Sequence, residues 1–253
     1  MGLVRGLGYY FLMRYQVVIF DLDGTLRESE PHFMDALRGC LADYGITVDG
    51  FEWRLTERWV HRYWAQSPEL LQDVAEVGDE GVWTRFICRL MEHAGHMADW
   101  EEAEKFAAYV REQYQPRSRV KAGVCETLEA LKERVQMGVL SNRMNSFDAE
   151  LAELGIDGYF DFTVAAGEVG IWKPQPGIFR AALARAGGVS PEEALYVGDN
   201  YYADIVGANE AGLDAILLDD RHVFTDVMCT RVERMDEVLL LLDGKRAGSP
   251  RHR

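Results

Sequence analysis

Two carboxylates stand one residue apart directly after the apolar run Val17-Val18-Ile19-Phe20. They are Asp21 and Asp23, and Gly24 and Thr25 follow them. Side chains alternate in an extended chain, so both carboxylates are expected to point the same way, where they repel each other unless a positive charge lies beside them. An Asp-Gly turn is a common structural feature, but it leaves the first aspartate unexplained. The pair therefore indicates a chemical site that includes a cation or a lysine.

Polar residues also follow two later apolar runs, and a lysine stands in the loop between them. These residues are Ser141, Asn142, Lys173, Asp199 and Asp204. Each is an ordinary loop residue when taken alone. The carboxyl ends of parallel strands, however, meet at one edge of a sheet, where such sheets bind ligands. The four segments in this order therefore predict one crevice that gathers carboxylates, a hydroxyl, an amide and a lysine.

The elements that must position these residues are short strands alternating with helices. Beyond the first strand, strands are predicted at 136–140, 162–165, 194–197 and 215–218. Helices are predicted at 124–134, 146–154, 176–186, 202–211 and 235–242. This alternation is typical of an α/β fold, with a parallel sheet covered by helices on both faces.

The segment from residue 28 to residue 116 has a different pattern. Apolar residues recur there at helical spacing, and no strand signal appears. Helices are predicted at 30–44, 54–64, 80–93 and 99–114. We therefore predict a discontinuous α/β core domain at 13–27 and 117–243, interrupted by an all-helical domain at 28–116. Residues 1–12 are expected to be a dispensable N-terminal extension, and residues 244–253 a disordered tail.

Composition excludes several classes of function. The chain has 253 residues, 48% of them hydrophobic, and a net charge of −15. This acidity argues against nucleic-acid partners and against attachment to anionic membranes. Four widely spaced cysteines without a Cys-x-x-Cys pair, and the absence of any run of 18 apolar residues, predict a cytoplasmic protein with reduced thiols. The expected partner is a small molecule, and monomer and homodimer remain open.

The set of motifs resembles the haloacid dehalogenase (HAD) superfamily of hydrolases. The resemblance rests on Asp21-Leu-Asp-Gly-Thr-Leu, Ser141-Asn142, Lys173-Pro174, and Gly198-Asp199 through Asp204. The helical insertion, and Gly167-Glu168-Val169-Gly170 before the lysine, resemble the subgroup with an α-helical cap between the first two motifs. The resemblance implies a Rossmannoid core with a parallel sheet and an inserted helical cap domain.

The resemblance also implies a Mg²⁺-dependent phosphatase that acts on a small-molecule phosphomonoester. Asp21 would be the nucleophile that forms an aspartyl-phosphate. Asp23 would protonate the leaving oxygen and then act as base for the hydrolytic water. Asp21, the backbone carbonyl of Asp23, and Asp199 would hold Mg²⁺, with Asp204 as an outer ligand or a partner of the metal waters.

The remaining motif residues would support this chemistry. Ser141, the backbone amide of Asn142, and Lys173 would bind the transferring phosphoryl oxygens. Thr25 would orient the acid by a hydrogen bond to Asp23, and Gly24 would keep the turn tight.

Other reactions on this scaffold fit the sequence less well. Dehalogenases attack carbon and give Asp23 no evident use. Phosphoglucomutase-like members place a cap histidine and lysine near the first motif, whereas the cap lysine here is the distant Lys105. Phosphonate-cleaving members need a cap lysine for a Schiff base, for which Lys105 in an acidic helix is a poor candidate. A non-enzymatic phosphate-binding protein would be favoured only if Asp21 or Asp23 were missing.

The cap sequence does not identify the substrate. We interpret His93 and His96 as packing or surface residues rather than metal ligands. The aromatic stripe of Trp59, Tyr63 and Trp64 is more typical of a cap core than of substrate contact. The basic residues Arg27, Arg54, Arg58 and Arg62 are interpreted as a solvated face rather than as an anion site.

Overall fold

The computed structural model describes residues 14–242 of the chain. The predicted N-terminal extension and C-terminal tail therefore lie outside the described residues. Among the helices that are described, none combines the length and the apolar composition needed to cross a bilayer.

A six-stranded parallel sheet forms the centre of the core domain, in the order β5-β4-β1-β6-β7-β8. The strands of the described chain are β1 (Val17–Phe20), β2 (Arg27–Glu30), β3 (Arg117–Val120), β4 (Gln136–Ser141), β5 (Phe162–Ala165), β6 (Ala194–Gly198), β7 (Asp214–Leu218) and β8 (Thr230–Val232). All four residues of β1 are buried, as expected for a strand covered on both faces. The flanking strands β4 and β6 pair with β1 in parallel. The three strands that carry acidic and polar residues at their ends are therefore neighbours.

Helices cover both faces of this sheet. The α-helices of the described chain are α1 (Phe33–Asp43), α2 (Gly50–Trp64), α3 (Pro68–His93), α4 (Trp100–Gln113), α5 (Val124–Leu131), α6 (Asp148–Glu153), α7 (Ala166–Val169), α8 (Pro176–Arg185), α9 (Gly207–Glu210) and α10 (Glu237–Leu242). One apolar layer joins the sheet to α5, α6 and α10, and a second joins it to α8 and α9. The predicted fold class, an α/β core with an inserted helical cap, is confirmed.

Helices α1 to α4 form the cap and have a hydrophobic core of their own, built around Tyr63, Phe86 and Phe106. Local signals start these helices, because Asp49 accepts hydrogen bonds from the first turn of α2 and Asp99 does so for α4. Helix α3 is interrupted at Gly78, whose φ of 71° lies outside the helical region. The cap is thus a separately packed helical body.

The prediction that residues 28–116 contain no strand is wrong at residues 28–30, which belong to β2. Strand β2 leaves the core for the cap and pairs antiparallel with β3, on which the chain returns. Sequence patterning missed both strands because they are short and largely charged, so no apolar alternation marks them. An ion pair between Arg119 and Glu28, at 3.0 Å, supports the pairing across the ribbon. Strand β8 was also not predicted.

The cap lies over the strand ends through polar contacts with the core. Helix α2 packs against a π-helical segment, Tyr201–Val206, that follows β6. Asn200 donates a hydrogen bond to the carbonyl of His61 in α2, at 3.0 Å. Arg221, in the loop after β7, pairs with Asp35 of α1 at 2.7 Å and with Glu57 of α2. These contacts place two cap helices opposite the carboxyl ends of β1, β4 and β6.

Candidate active site

The ends of three neighbouring strands form the floor of the site. Asp21 continues the pairing of β1 by one residue, since its backbone N–H donates to the carbonyl of Val197 at 2.8 Å. The residue is buried, with 5% relative exposure. Ser141 is the last residue of β4, and Asp199 directly follows β6. The structure therefore brings these predicted residues together at one edge of the sheet, where open α/β folds bind ligands.

Lys173 lies in the centre of this floor. Its Nζ donates to Asp21 Oδ1 at 2.6 Å, to Asp204 Oδ1 at 2.7 Å and to the hydroxyl of Tyr196 at 3.0 Å. Burial would lower the pKa of Lys173, but the charges of Asp204 and Asp21 outweigh burial and raise the pKa above its ordinary value. The lysine is therefore a fixed positive charge between two buried carboxylates.

Three carboxylates converge around that single lysine. Oxygens of Asp21, Asp199 and Asp204 lie within 4.8 Å of one another. Burial and then mutual repulsion raise the pKa of Asp199, and burial raises the pKa of Asp21 although Lys173 opposes it. One lysine does not balance three negative charges. A hard divalent cation with oxygen ligands would, so the donor set fits Mg²⁺.

Asp23 is held by two arginines that the sequence analysis did not assign to the site. Arg143 donates to both carboxylate oxygens of Asp23, from Nε and Nη2, each at 2.7 Å. Arg27 donates to Oδ1, also at 2.7 Å. Burial alone would raise the pKa of Asp23, but the bonds from Arg143 and Arg27 outweigh it and hold the pKa below its ordinary value. The carboxyl is therefore ionised in this arrangement.

The predicted hydrogen bond from Thr25 to Asp23 does not form. The Thr25 hydroxyl is buried without a hydrogen-bond partner, and the two arginines bind the carboxylate instead. Gly24 does adopt a positive φ, of 86°. A Cβ at this position would overlap the Asp199 carboxylate, so the residue must be glycine for conformation and for space.

The side chain of Asn142 positions the lysine. Its Oδ1 accepts from the backbone N–H of Lys173 at 2.7 Å, and its Nδ2 donates to the carbonyl of the same residue at 3.1 Å. The motif resemblance implies a phosphate contact for the backbone amide of Asn142 and no role for its side chain. The side chain thus joins the loop that carries Lys173 to the end of β4.

Tyr196 and Asn200 also belong to the floor, although sequence reasoning missed them. The Tyr196 hydroxyl bonds to Asp204 Oδ1 at 3.1 Å, and the backbone N–H of Asn200 donates to Asp204 Oδ2 at 2.9 Å. Both oxygens of Asp204 are therefore occupied. A single hydroxyl inside the otherwise apolar β6 was the available signal for Tyr196, and the position of Arg143 directly after Ser141-Asn142 was the signal for that arginine.

A cavity of about 400 Å³ opens over these groups and extends to the cap. Phe33 and Met34 of α1, and Val60 and Trp64 of α2, line its far side. Trp64 is 36% exposed, whereas Trp59 is 5% exposed and belongs to the cap core with Tyr63. The predicted role in the cap core is therefore right for Trp59 and Tyr63, whereas Trp64 borders the cavity.

The other cap candidates do not form a site. The ring of His93 packs on Trp59 at 4.2 Å between centroids, and His96 hydrogen-bonds to Glu102 at 2.8 Å. Of the four arginines, Arg27 lies in the cavity wall, while Arg58 contacts Tyr202 of the core at 3.1 Å. They do not combine into an anion-binding patch.

The fold and this site define a class of protein, in which a parallel-sheet α/β core carries an aspartate at the end of its central strand and a helical cap lies above it. The sequence model of the haloacid dehalogenase-like hydrolases matches residues 15–212. The chain belongs to this family, as its motifs predicted.

Curated relatives specify the kind of hydrolase. Glyceraldehyde 3-phosphate phosphatase of Methanopyrus kandleri is 34% identical over 202 residues, which cover 78% of this chain and 81% of the relative. Phosphoglycolate phosphatase 1 of Pseudomonas aeruginosa is 30% identical, covering 78% of this chain and 67% of the relative. Phosphoserine phosphatase of Thermus thermophilus is 29% identical, covering 81% and 88%. The predicted enzyme class, a phosphatase of this family, is confirmed.

Solved structures show the same fold at lower sequence identity. A conserved haloacid dehalogenase-like protein from Agrobacterium tumefaciens superimposes with a TM-score of 0.61 at 21% identity, covering 91% of this chain and 98% of the other. A HAD-hydrolase from Bacillus subtilis, solved bound to magnesium, has a TM-score of 0.59 at 20% identity, covering 91% and 99%.

Proposed function

We propose that the protein is a Mg²⁺-dependent phosphatase that hydrolyses a small-molecule phosphomonoester through an aspartyl-phosphate on Asp21. The observation that carries the proposal is the cluster of Asp21, Lys173, Asp199 and Asp204 at adjoining strand ends, open to one cavity. The names of the curated relatives, which are phosphatases of small phosphate esters, support the same reaction.

In the first step an oxygen of Asp21 attacks phosphorus, and the bond to the substrate alcohol breaks. Asp23 supplies the proton that the departing oxygen needs. In the second step water attacks the aspartyl-phosphate, Asp23 accepts a proton from that water, and inorganic phosphate leaves. Lys173 and Ser141, which line the cavity, would stabilise the charge on the phosphoryl oxygens through both steps.

The arginine pair on Asp23 bears on the timing of proton transfer. Arg143 and Arg27 favour the ionised carboxylate, which is the form required for the base in the second step. For the first step Asp23 must take a proton and contact the leaving oxygen. Its side chain is partly exposed and lines the cavity.

The carboxylates would hold Mg²⁺ with distinct roles. Asp21, Asp199 and the backbone carbonyl of Asp23 would be ligands. Asp204 would act as an outer partner, because Lys173 and the backbone N–H of Asn200 already occupy its two oxygens. When bound, the ion would neutralise the repulsion between a carboxylate nucleophile and a phosphate dianion.

A phosphoglucomutase-like transfer has less support. His32 of the cap lines the cavity, but Lys105 is exposed and pairs with Glu101 at 2.7 Å on α4. The lysines that line the cavity, Lys121 and Lys173, both belong to the core. A cytoplasmic location is part of the proposal, since the four free cysteines are typical of a reducing compartment.

The test is phosphate release by the full-length protein from a panel of phosphomonoesters and acetyl phosphate, with MgCl₂ and with EDTA. We expect release only with Mg²⁺, and a loss of at least about a thousandfold in Asp21→Asn, which removes the nucleophile and retains the side-chain volume. The matched control is Asp43→Asn, at an exposed position in α1, which should keep full activity. Full activity in Asp21→Asn, or in EDTA, overturns the mechanism.

A further inference from the structure

The cap side of the cavity is an apolar surface with a tryptophan in it. Phe33, Met34, Val60 and Trp64 face the same space as Asp21. The Trp64 ring is held by neighbouring rings, with Tyr63 at 5.1 Å and Phe86 at 5.2 Å between centroids. An exposed aromatic ring fixed in place beside a reaction site gains free energy when an apolar ligand surface covers it.

The two arginines of the cavity wall are already paired with carboxylates. Besides holding Asp23, Arg27 pairs with Glu150 at 3.2 Å, and Arg143 pairs with the same glutamate at 3.3 Å. In the structure the two arginines therefore face two carboxylates, Asp23 and Glu150, and the charges of this group balance. These arginines are therefore not available as a binding site for a second anion on the substrate.

The remaining basic groups of the wall are also neutralised or uncharged. Lys121 pairs with Asp220 at 2.8 Å and donates to the carbonyl of Gly24 at 2.8 Å. Burial lowers the pKa of His32 and of His61 to about 4, so both rings are neutral at neutral pH. Among the described residues that line the cavity, the remaining cation is Lys173, which is bonded to Asp21 and Asp204 and belongs to the proposed phosphate site. A second anion buried here would lack a partner, which costs free energy.

The size of the cavity also argues against a very small alcohol. A volume of about 400 Å³ is in the range of sites that enclose ligands of the size of a nucleoside or a substituted aromatic alcohol. A two-carbon group would leave Trp64 and Phe33 in contact with water.

From these observations we infer that the substrate alcohol is a bulky, uncharged group with an aromatic or otherwise apolar face that covers Trp64, and that it carries no second anionic group. The inference rests on the proposed phosphatase function and names its substrate class. It predicts discrimination against carboxylated esters such as 2-phosphoglycolate.

Four esters with alkyl leaving groups separate size from charge: ethyl phosphate, 2-phosphoglycolate, benzyl phosphate and 4-carboxybenzyl phosphate. With the full-length protein and MgCl₂, we expect kcat/KM for benzyl phosphate to exceed that for ethyl phosphate by at least about tenfold. The added carboxylate should lower kcat/KM by at least about tenfold, both from ethyl phosphate to 2-phosphoglycolate and from benzyl phosphate to 4-carboxybenzyl phosphate. A preference for either carboxylated ester over its uncharged counterpart overturns the inference.

Variants of Trp64 test the contact itself. Trp64→Ala should lower kcat/KM for benzyl phosphate by about tenfold and leave ethyl phosphate within about twofold, while Trp64→Phe should keep most of the activity. The control is Trp100→Ala, because Trp100 has a similar exposure of 38%, also lies in the cap, and does not line the cavity. An equal loss on both esters in Trp64→Ala overturns the inference.

Acetyl phosphate separates failure of the inference from failure of the proposed function. It is small and activated, so its turnover depends on the catalytic groups and not on the cap wall. If acetyl phosphate is hydrolysed with Mg²⁺ but the four esters show no preference, only the substrate class is wrong. If neither acetyl phosphate nor any ester releases phosphate, the proposed function is wrong and the inference fails with it.

Discussion

The core and the cap each bury an aspartate that is bound by a tyrosine hydroxyl and a cation. In the core, Asp204 accepts from Tyr196 and Lys173. In the cap, Asp73 accepts from Tyr63 at 2.9 Å and from Arg89 at 2.6 Å and 2.7 Å. The partners are of the same kind, but only the core network borders the cavity.

The two networks differ in charge balance. Arg89 and Arg85 face Asp73 and Glu69 in the cap, so positive and negative charges are equal in number. In the core, Lys173 pairs with two of the three clustered carboxylates Asp21, Asp199 and Asp204, and the nearby Lys121 is already paired with Asp220. The balanced network stabilises the cap, whereas the unbalanced one retains a demand for a cation. A buried ion network is therefore evidence for a site only when it has excess charge and access to ligand.

The largest effect is expected for Lys173→Met. It leaves Asp21 and Asp204 as buried like charges, so we expect a loss of about 3–5 kcal/mol in the free energy of unfolding, together with at least about a hundredfold loss of phosphate release. Urea unfolding and a phosphate assay measure the two effects. Lys105→Met, at an exposed pair on α4, should change stability by less than about 0.5 kcal/mol. Retained activity in Lys173→Met would remove the lysine from the mechanism.

Arg89→Met makes the corresponding change in the cap and should separate stability from chemistry. Asp73 loses a bidentate partner, so the free energy of unfolding should fall by about 3 kcal/mol. Activity per folded molecule should stay within about threefold, because this network does not reach the cavity. Urea unfolding followed by kinetics on the folded fraction tests both statements. A large loss of kcat in the folded enzyme would contradict the contrast between the two networks.

The third prediction concerns whether removing a buried carboxylate raises or lowers the free energy of unfolding when EDTA keeps Mg²⁺ away. Burial and neighbouring carboxylates raise the pKa of Asp199, whereas bonds from Arg89 and Tyr63 outweigh burial and hold the pKa of Asp73 low. At neutral pH we therefore expect Asp199→Asn to raise the free energy of unfolding by about 1–2 kcal/mol, and Asp73→Asn to lower it by a similar amount.

The pH dependence of these two groups follows from linkage. A carboxyl whose pKa is raised on folding destabilises the fold when it is ionised. As pH falls toward its pKa in the unfolded chain, the folded state binds more protons than the unfolded state, and the destabilisation is lost. A group whose pKa is depressed stabilises the fold above its unfolded pKa, and that stability is lost as pH falls further. Acidification in EDTA should therefore reduce the gain from Asp199→Asn and the loss from Asp73→Asn. A stabilising effect of Mg²⁺ that persists in Asp199→Asn would argue against this residue as a ligand.

The smallest effects are expected where the two regions meet. Arg221→Gln leaves the buried Glu57 without its partner and should cost about 1 kcal/mol while raising KM. Arg58→Gln breaks a pair with the exposed Asp226, so its effect on stability should be smaller than that of Arg221→Gln. Chemical unfolding and steady-state kinetics compare the two variants. Equal effects would mean that burial at the cap–core contact does not matter.

Much of the core could be predicted because its signals are local. Strands β1, β4 and β6 are apolar runs, and the polar residues at their ends follow within one or two positions. The ribbon of β2 and β3 could not be predicted, since its charged residues form a strand only by pairing with a segment about ninety positions away. The pairing of Asp23 with Arg143 could not be predicted for the same reason, because Arg143 lies 120 positions along the chain.

The sequence by itself determined the family, through its motifs, and five of the six strands of the sheet with the carboxylates at their ends. A strand buried on both faces must be a continuous apolar run, and its end must lie at the sheet edge. Only the tertiary structure decided which charge pairs with which, and that Trp64 rather than Trp59 or Tyr63 borders the cavity. Helical spacing marks all three aromatic residues as candidates for one cap core. Which of the three borders the cavity depends on where α2 meets the core, and that contact is formed by residues distant in sequence.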